Sequence, residues 1–154
     1  MGKSKVCTRC QSIRPAEDYL PSGRVARTVC KECLYSDRRK KWSSSYKEFL
    51  KRLCQNSKSS RSKQMEWSIT ADHLIGLWES QDGKCALSGA AMTHHRDGSG
   101  RKEFNASIDR IDQEKGYTPQ NIHLVCYRVN ILRHDLPVDM FYWWVKTIYE
   151  HSCD

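Results

Sequence analysis

The sequence predicts an α+β chain: a small body of short strands and helices, preceded by a separate cysteine-rich module. Three observations predict it. Cys7, Cys10, Cys30 and Cys33 form two Cys-x2-Cys pairs separated by 19 residues. Apolar residues recur at helical spacing in three stretches, 42–53, 74–78 and 138–149. Brief apolar runs lie between the last two, bounded by Gly and Asp turns. At 154 residues the chain has the length of one ordinary domain or two small ones. Five Trp, seven Tyr and three Phe exclude a chain disordered throughout.

The first element is the cysteine module, residues 1–40. Each Cys-x2-Cys pair turns the backbone so that two thiolates point at one centre. Two pairs supply the four sulfurs that tetrahedral Zn²⁺ accepts, with no open position for chemistry. So short a segment buries too little apolar surface to fold alone, and the metal then supplies most of its folding energy. The expectation is structural zinc, with iron also suited to four thiolates and redox pairs or disulfides the competing readings. Cys54, Cys85, Cys126 and Cys153 are isolated. Ser88 and Val129 stand where Cys85 and Cys126 would need second cysteines, so those two read as small buried thiols.

A basic helix and linker are expected over 41–65. Arg38, Arg39, Lys40 and Lys41 lead into apolar residues at 42, 46, 49, 50 and 53, which mark one helical face. The Ser-rich stretch from Gln55 to Gln64 has linker composition. The charge is divided at this boundary. Residues 1–63 hold 17 Lys/Arg against 5 Asp/Glu, and residues 64–154 hold 9 against 13, within a formal net charge of +8. A basic arm on a mildly acidic body points to a polyanion partner, because each neutralised phosphate releases counterions; the competing reading is a solvated charged surface. No apolar run reaches bilayer length, so no membrane partner is expected. Met1–Lys5 lacks the apolar stretch of a secretory leader. The expected location is the cytoplasm of a bacterial or phage-infected cell, or the nucleus of a eukaryotic one.

The body, 66–154, opens with a helix capped by Thr70, carrying Leu74, Ile75, Leu77 and Trp78 and ended by Asp82-Gly83. Short strands are expected at Cys85–Gly89, Ser107–Ile111 and Asn121–Leu124, then a helix from about Val125 to His134. Pro137 starts a last helix whose Val138, Phe141, Tyr142, Val145, Ile148 and Tyr149 are expected to pack into the core.

The stretch from Ser107 to Asn130, with Asp109-Arg110, the Gly-Tyr-Thr-Pro-Gln-Asn loop ending at Asn121, and Asn130, resembles the HNH endonucleases, a branch of the ββα-metal nucleases. The Cys-Ala-Leu-Ser-Gly of 85–89 is similar to the lead-in strand of that family. The two cysteine pairs resemble the zinc module of PacI-like restriction endonucleases and of endonuclease VII-type relatives. Together the resemblances cover about residues 5–40 and 67–140. They imply a small ββα-metal (HNH) nuclease domain with an N-terminal zinc module and flanking helices.

Phosphodiester cleavage needs a cation beside the scissile phosphate, a deprotonated nucleophile and help for the leaving oxygen. Asp109 offers a hard carboxylate and Asn130 an amide oxygen, a pair that suits Mg²⁺ or Mn²⁺. The competing readings are a strand-end structural carboxylate and a helix residue bonding backbone. The resemblance implies that Asn121 holds the loop. Arg110 stands where most of the family has the His that activates water; a guanidinium binds phosphate but does not give up its proton near neutrality. The PacI-like variant puts a tyrosine to that use near the lead-in strand, where this chain has Leu87. The general base is therefore sought among four histidines. His123 shares a strand face with Asn121, His134 follows Asn130 at i+4, and His94 and His95 precede the motif. For each, a solvent-exposed or capping imidazole is the competing reading. Tyr117 reads as a packed loop aromatic.

The expected function is a metal-dependent endonuclease on double-stranded DNA, restriction-type and homodimeric, since one such site cuts one strand. DNA contacts are expected from Arg38, Arg39, Lys40, Lys41 and Arg110. Homing and junction-resolving endonucleases are alternatives within the class. Outside it stand a non-catalytic zinc-containing DNA-binding protein and, more distantly, a redox protein.

Overall fold

The computed structural model describes residues 4–21, 27–95 and 102–153. At the N-terminus, β1 (Ser4–Val6) pairs antiparallel with β2 (Ile13–Pro15), Lys5 facing Arg14. The turn between them carries Cys7 and Cys10. The Gln11 amide N–H donates to the Cys7 carbonyl, and Gln11 takes a left-handed φ of 59° to close the turn. The chain returns at Cys30, the N-cap of α1 (Lys31–Ser43), so that Cys33 lies in the first turn. The buried cluster of this module is Cys7, Tyr19, Val29 and Cys30, a core too small to hold a fold alone.

α1 stops at Ser44, and α2 (Tyr46–Arg61) begins afresh with the Ser45 hydroxyl accepting the Glu48 amide N–H. The Ser-rich stretch expected as linker is instead helical as far as Arg61. The Ser59 and Ser60 hydroxyls donate to the Asn56 carbonyl one turn back, which lets serine sit in a helix, and Cys54 and Ser57 are buried. The face formed by Phe49, Leu50 and Cys54 packs on α3 (Ala71–Ser80) and the body core. The Tyr46 ring stacks on Trp78 with centroids 5.3 Å apart. α3 begins with a reciprocal cap: Thr70 Oγ1 accepts the His73 amide N–H, and the Thr70 amide donates to His73 Nδ1.

Cys85–Gly89 is a turn rather than the expected strand. The Cys85 amide donates to the Ala90 carbonyl and the Gly89 amide to the Cys85 carbonyl, and Gly89 adopts φ 69°. This segment is too tightly closed on itself to pair over its length.

β3 (Ala106–Arg110) and β4 (Ile122–Cys126) form the second antiparallel sheet, in a register that sets Asp109 opposite His123 and Ile108 opposite Leu124. α4 (Tyr127–Arg133) follows β4 without a linker, and α5 (Val138–Ser152) is the last helix. Ile108, Leu124 and Val125 anchor the hairpin in the main core with Leu50 and Leu74. The loop joining the strands is tied down at Tyr117, whose amide donates to the Glu66 carbonyl and whose carbonyl accepts from Ser68. At Gly116 a Cβ would fall 2.7 Å from the Glu66 carbonyl oxygen, so only glycine fits. The apolar residues of α5 are not all core residues as expected: Phe141 alone is buried, and Tyr142, Trp143, Trp144, Val145, Ile148 and Tyr149 are exposed, although the Tyr142 hydroxyl donates to the Leu87 carbonyl.

Candidate functional site

The four module cysteines converge, their sulfurs all lying within 4.8 Å of one another. The Cys30 amide N–H, 3.3 Å from Cys7 Sγ, holds the Cys7 thiol down to about 6. The neighbouring Cys30 thiol pushes Cys33 up to about 12. Four thiolates crowded together repel unless a cation sits among them, and four converging sulfurs are what Zn²⁺ takes. The donor set fits a structural metal. Among the described residues it is the only cluster of three or more His, Cys, Asp or Glu side chains with metal-binding geometry.

The second centre lies at the hairpin and α4. Asp109, next to last in β3, lies on the face turned to α4 and is buried. His123, directly across the ladder, places Nε2 2.9 Å from Asp109 Oδ2 and remains 14% exposed. Arg133, which the motif does not single out, completes the group. Its side chain is fully buried, and its Nη1 lies 2.7 and 2.8 Å from the two Asp109 oxygens. Nη1 also donates to the Arg110 carbonyl and Nη2 to the Ile111 carbonyl. A signal exists in the sequence: Arg133 follows Asn130 by three residues, hence on the same helical face.

The expected pair of ion ligands comes together differently. Asn130 sits on α4 above β3, but its Nδ2 donates to Ser107 Oγ at 2.7 Å and to the Ile108 carbonyl at 3.3 Å. Both Asp109 oxygens already face a guanidinium nitrogen at the point where a bidentate cation would sit, and Oδ2 also faces His123. This arrangement leaves no coordination position on Asp109 for Mg²⁺ or Mn²⁺, and the donor set as folded does not fit the catalytic ion that the resemblance implies.

Arg110 points to the other face of β3, as strand alternation requires. It donates to the Gln113 and Lys115 carbonyls and lies over the Tyr117 ring, so it clamps the loop rather than reaching toward a phosphate. Asn121 holds the same loop: its amide oxygen accepts the Asp112 N–H, and its Nδ2 donates to the Asp112 and Gly116 carbonyls. His134 does not share the face of Asn130, because α4 ends at Arg133 and His134 turns out at φ 52°, 81% exposed and paired with Asp135. His94 packs between the Phe49 and Trp78 rings. Cys85 and Cys126 are buried, and burial together with Cys85 alongside pushes the Cys126 thiol up to about 11.

Between α1, α2 and the hairpin runs a cleft of about 720 Å³. Arg39, Arg61 and Lys102 line it together with Tyr35, Trp42 and Tyr127, and it reaches β3 at Ala106 and Ser107. The Lys102 ammonium stands 4.8 Å from the centroid of the Tyr127 ring. Of the basic run only Arg39 lines the cleft; Arg38, Lys40 and Lys41 lie elsewhere on the surface of α1. Cations and aromatic faces side by side suit a nucleic-acid backbone and its bases. Among the described residues no helix is long and apolar enough to cross a membrane.

No family profile matches the chain, and no curated protein matches it. Among solved structures it is similar to the rare-cutting HNH restriction endonuclease PacI, whose structure was described for an extraordinary mechanism of DNA perturbation. The similarity has a TM-score of 0.45 and 18% identity, and it covers 96% of this chain and 94% of that one.

Proposed function

We propose that the chain is an HNH-type endonuclease that hydrolyses phosphodiester bonds in double-stranded DNA, as a homodimer and in a restriction-type role. The observation that carries this reading is the Asp109–His123 pair, set by strand register on a hairpin whose β3 also borders the basic, aromatic cleft. The carboxylate takes the Nε2–H of His123 and so fixes the tautomer, which leaves the Nδ1 lone pair to accept a proton from water. Arg133 neutralises Asp109 and locks its orientation. Arg39, Arg61 and Lys102 offer the charge that a phosphate backbone needs. The zinc module anchors α1, which forms one wall of the cleft.

Incubation with supercoiled plasmid in Mg²⁺, in Mn²⁺ and in a chelator gentle enough to spare the zinc tests the reading. Nicked or linear product is expected from the wild type, with His123→Ala slower by about 100-fold or more. Sequenced ends then separate restriction (defined ends at many sites) from homing (one long site); preference for four-way junctions indicates a resolvase. A second reading, a zinc-containing DNA-binding protein without cleavage, is favoured by one observation, the guanidinium seated on Asp109. Retarded duplex in a gel shift with plasmid left supercoiled in all three conditions would establish it instead.

A further inference from the structure

Cys85 and Cys126, with 40 residues between them in the chain, come together in the core of the body. The Ala86 amide donates to the Leu124 carbonyl at 3.0 Å, and the Gln81 side chain grips both backbone groups of Leu124. The 85–89 turn is thereby pinned beside the end of β4. Cys126 is the N-cap of α4, and its amide N–H donates to Cys85 Sγ. Its thiol donates to the same sulfur. Burial raises the Cys85 thiol, but the Ser88 hydroxyl and the amides of Cys126, Ser88 and Leu87 outweigh it and hold that thiol below its ordinary value. Burial, with Cys85 alongside, pushes Cys126 up to about 11. One sulfur is thus favoured as thiolate, and the other stays protonated against it. A zinc cage would need further donors, and Ser88 and Val129 stand where its other two cysteines would be. A cavity of about 540 Å³, lined by Ser88, Phe104, Cys126 and Val129 among others, gives small molecules a way to the pair.

We propose that Cys85 and Cys126 are a reversible disulfide site, which a hydroperoxide closes and a dithiol reopens, stapling the 85–89 turn to the start of α4. The Cys85 thiolate attacks the nearer peroxide oxygen; the O–O bond breaks, water leaves and a sulfenic acid forms on Cys85. The Cys126 sulfur then attacks Cys85 Sγ, and the departing hydroxyl takes the Cys126 proton as a second water. The two thiols lose two protons and two electrons, and hydrogen peroxide is reduced to two molecules of water. A dithiol reverses the link by exchange and is itself oxidised. The closed loop encloses the β3–β4 hairpin, so the link restricts the unfolded chain over the segment that carries Asp109 and His123. The inference goes beyond the nuclease reading and does not rest on it.

Peptide mapping of the native full chain tests it. The chain is purified with Zn²⁺, carries Cys153→Ser to prevent links between copies through that exposed thiol, and is treated with hydrogen peroxide, alkylated and digested for mass spectrometry. The expected product is a pair of peptides joined through Cys85 and Cys126, lighter than the two reduced peptides by two hydrogens and separated by dithiothreitol. The linked chain is expected to melt about 5–15 °C higher than the reduced one, a shift absent from Cys126→Ser. The map is read on a chain with both thiols in place, so it stands whether or not Cys126→Ser folds. Both thiols still open to alkylation after peroxide overturn the proposal, as does either one carried to sulfinic acid or joined to a module cysteine. A link that forms only in urea overturns it too, and so does a linked chain that melts no higher than the reduced one. A second zinc per chain that shields both thiols from peroxide overturns it and assigns the pair to metal ligation.

Discussion

Arg133 carries the largest single-residue consequence in the body. Removing it strands a buried carboxylate, so Arg133→Met is expected to cost about 3–5 kcal/mol by urea denaturation. Adding Asp109→Asn, which removes the stranded charge, should recover about 1–3 kcal/mol. Arg133→Met also opens the carboxylate, so Mn²⁺ should raise the melting temperature of that variant and leave the wild type unmoved. Asp112 gives a milder, pH-dependent effect. The Lys115 ammonium at 2.7 Å, and after it the Glu114 amide, hold its carboxyl below the ordinary range. Because the folded value is the lower one, the contribution is complete above about pH 4 and fades as pH falls through the lowered value. Asp112→Asn should flatten that acid limb in a plot of urea midpoint against pH, by a small amount for so exposed a pair. The two arginines show how far the sequence can be read here. Arg110 is adjacent to Asp109 in the chain and so lies on the opposite face of the strand; Arg133 is 24 residues away and lands on the carboxylate. The loop-holding part of Asn121 is the one the resemblance implies, whereas the pairing of Asp109 with His123 rests on a strand register that residue types do not announce. The arginine partner is not legible either, because a helix contact depends on where the helix is docked.

At the scale of elements, the cysteine module and the body are held by different means. The module's small core does not share a buried residue with the main cluster. Stripping any metal held by the four cysteines with a strong chelator, or Cys7→Ser, should therefore free the amides of Cys7, Tyr19 and Leu34 to exchange while Ile108 and Leu124 stay protected, as read by hydrogen exchange. The spacing of the four cysteines announces their convergence, but not the β1–β2 hairpin that carries the first pair. The β3–β4 hairpin, α3 with its Thr70 cap and the extent of α5 are also legible, each from a local pattern. Two elements are not. The Ser-rich end of α2 has linker composition but buries Cys54 and Ser57, and packing overrides composition. The Cys85–Gly89 turn looks like a strand by residue type, and only its internal hydrogen bonds show otherwise. For α5 the periodicity predicts a helix with an apolar face; it carries no information on how much of that face the body covers, and only Phe141 is buried.

For the whole molecule the charge division matters most, since α1 and α2 carry the basic excess to one side of the cleft. Replacing Arg38, Arg39, Lys40 and Lys41 by Gln is expected to weaken duplex binding at all sequences alike. It should reduce the slope of log affinity against log salt by up to about 0.9 for each phosphate no longer neutralised, measured by fluorescence anisotropy. The joint at Ser44 and Ser45 has a further effect. α1 ends there on the Lys41 carbonyl, and Ser45, extended at φ −156°, restarts the chain as α2. Tyr35, Arg39 and Trp42 reach the cleft only because α1 meets α2 at one rotational phase. One residue inserted near the end of α1 would turn everything upstream by about 100°. The cysteine cluster, net charge and the hairpin would survive the insertion intact, and the cleft would lose a wall.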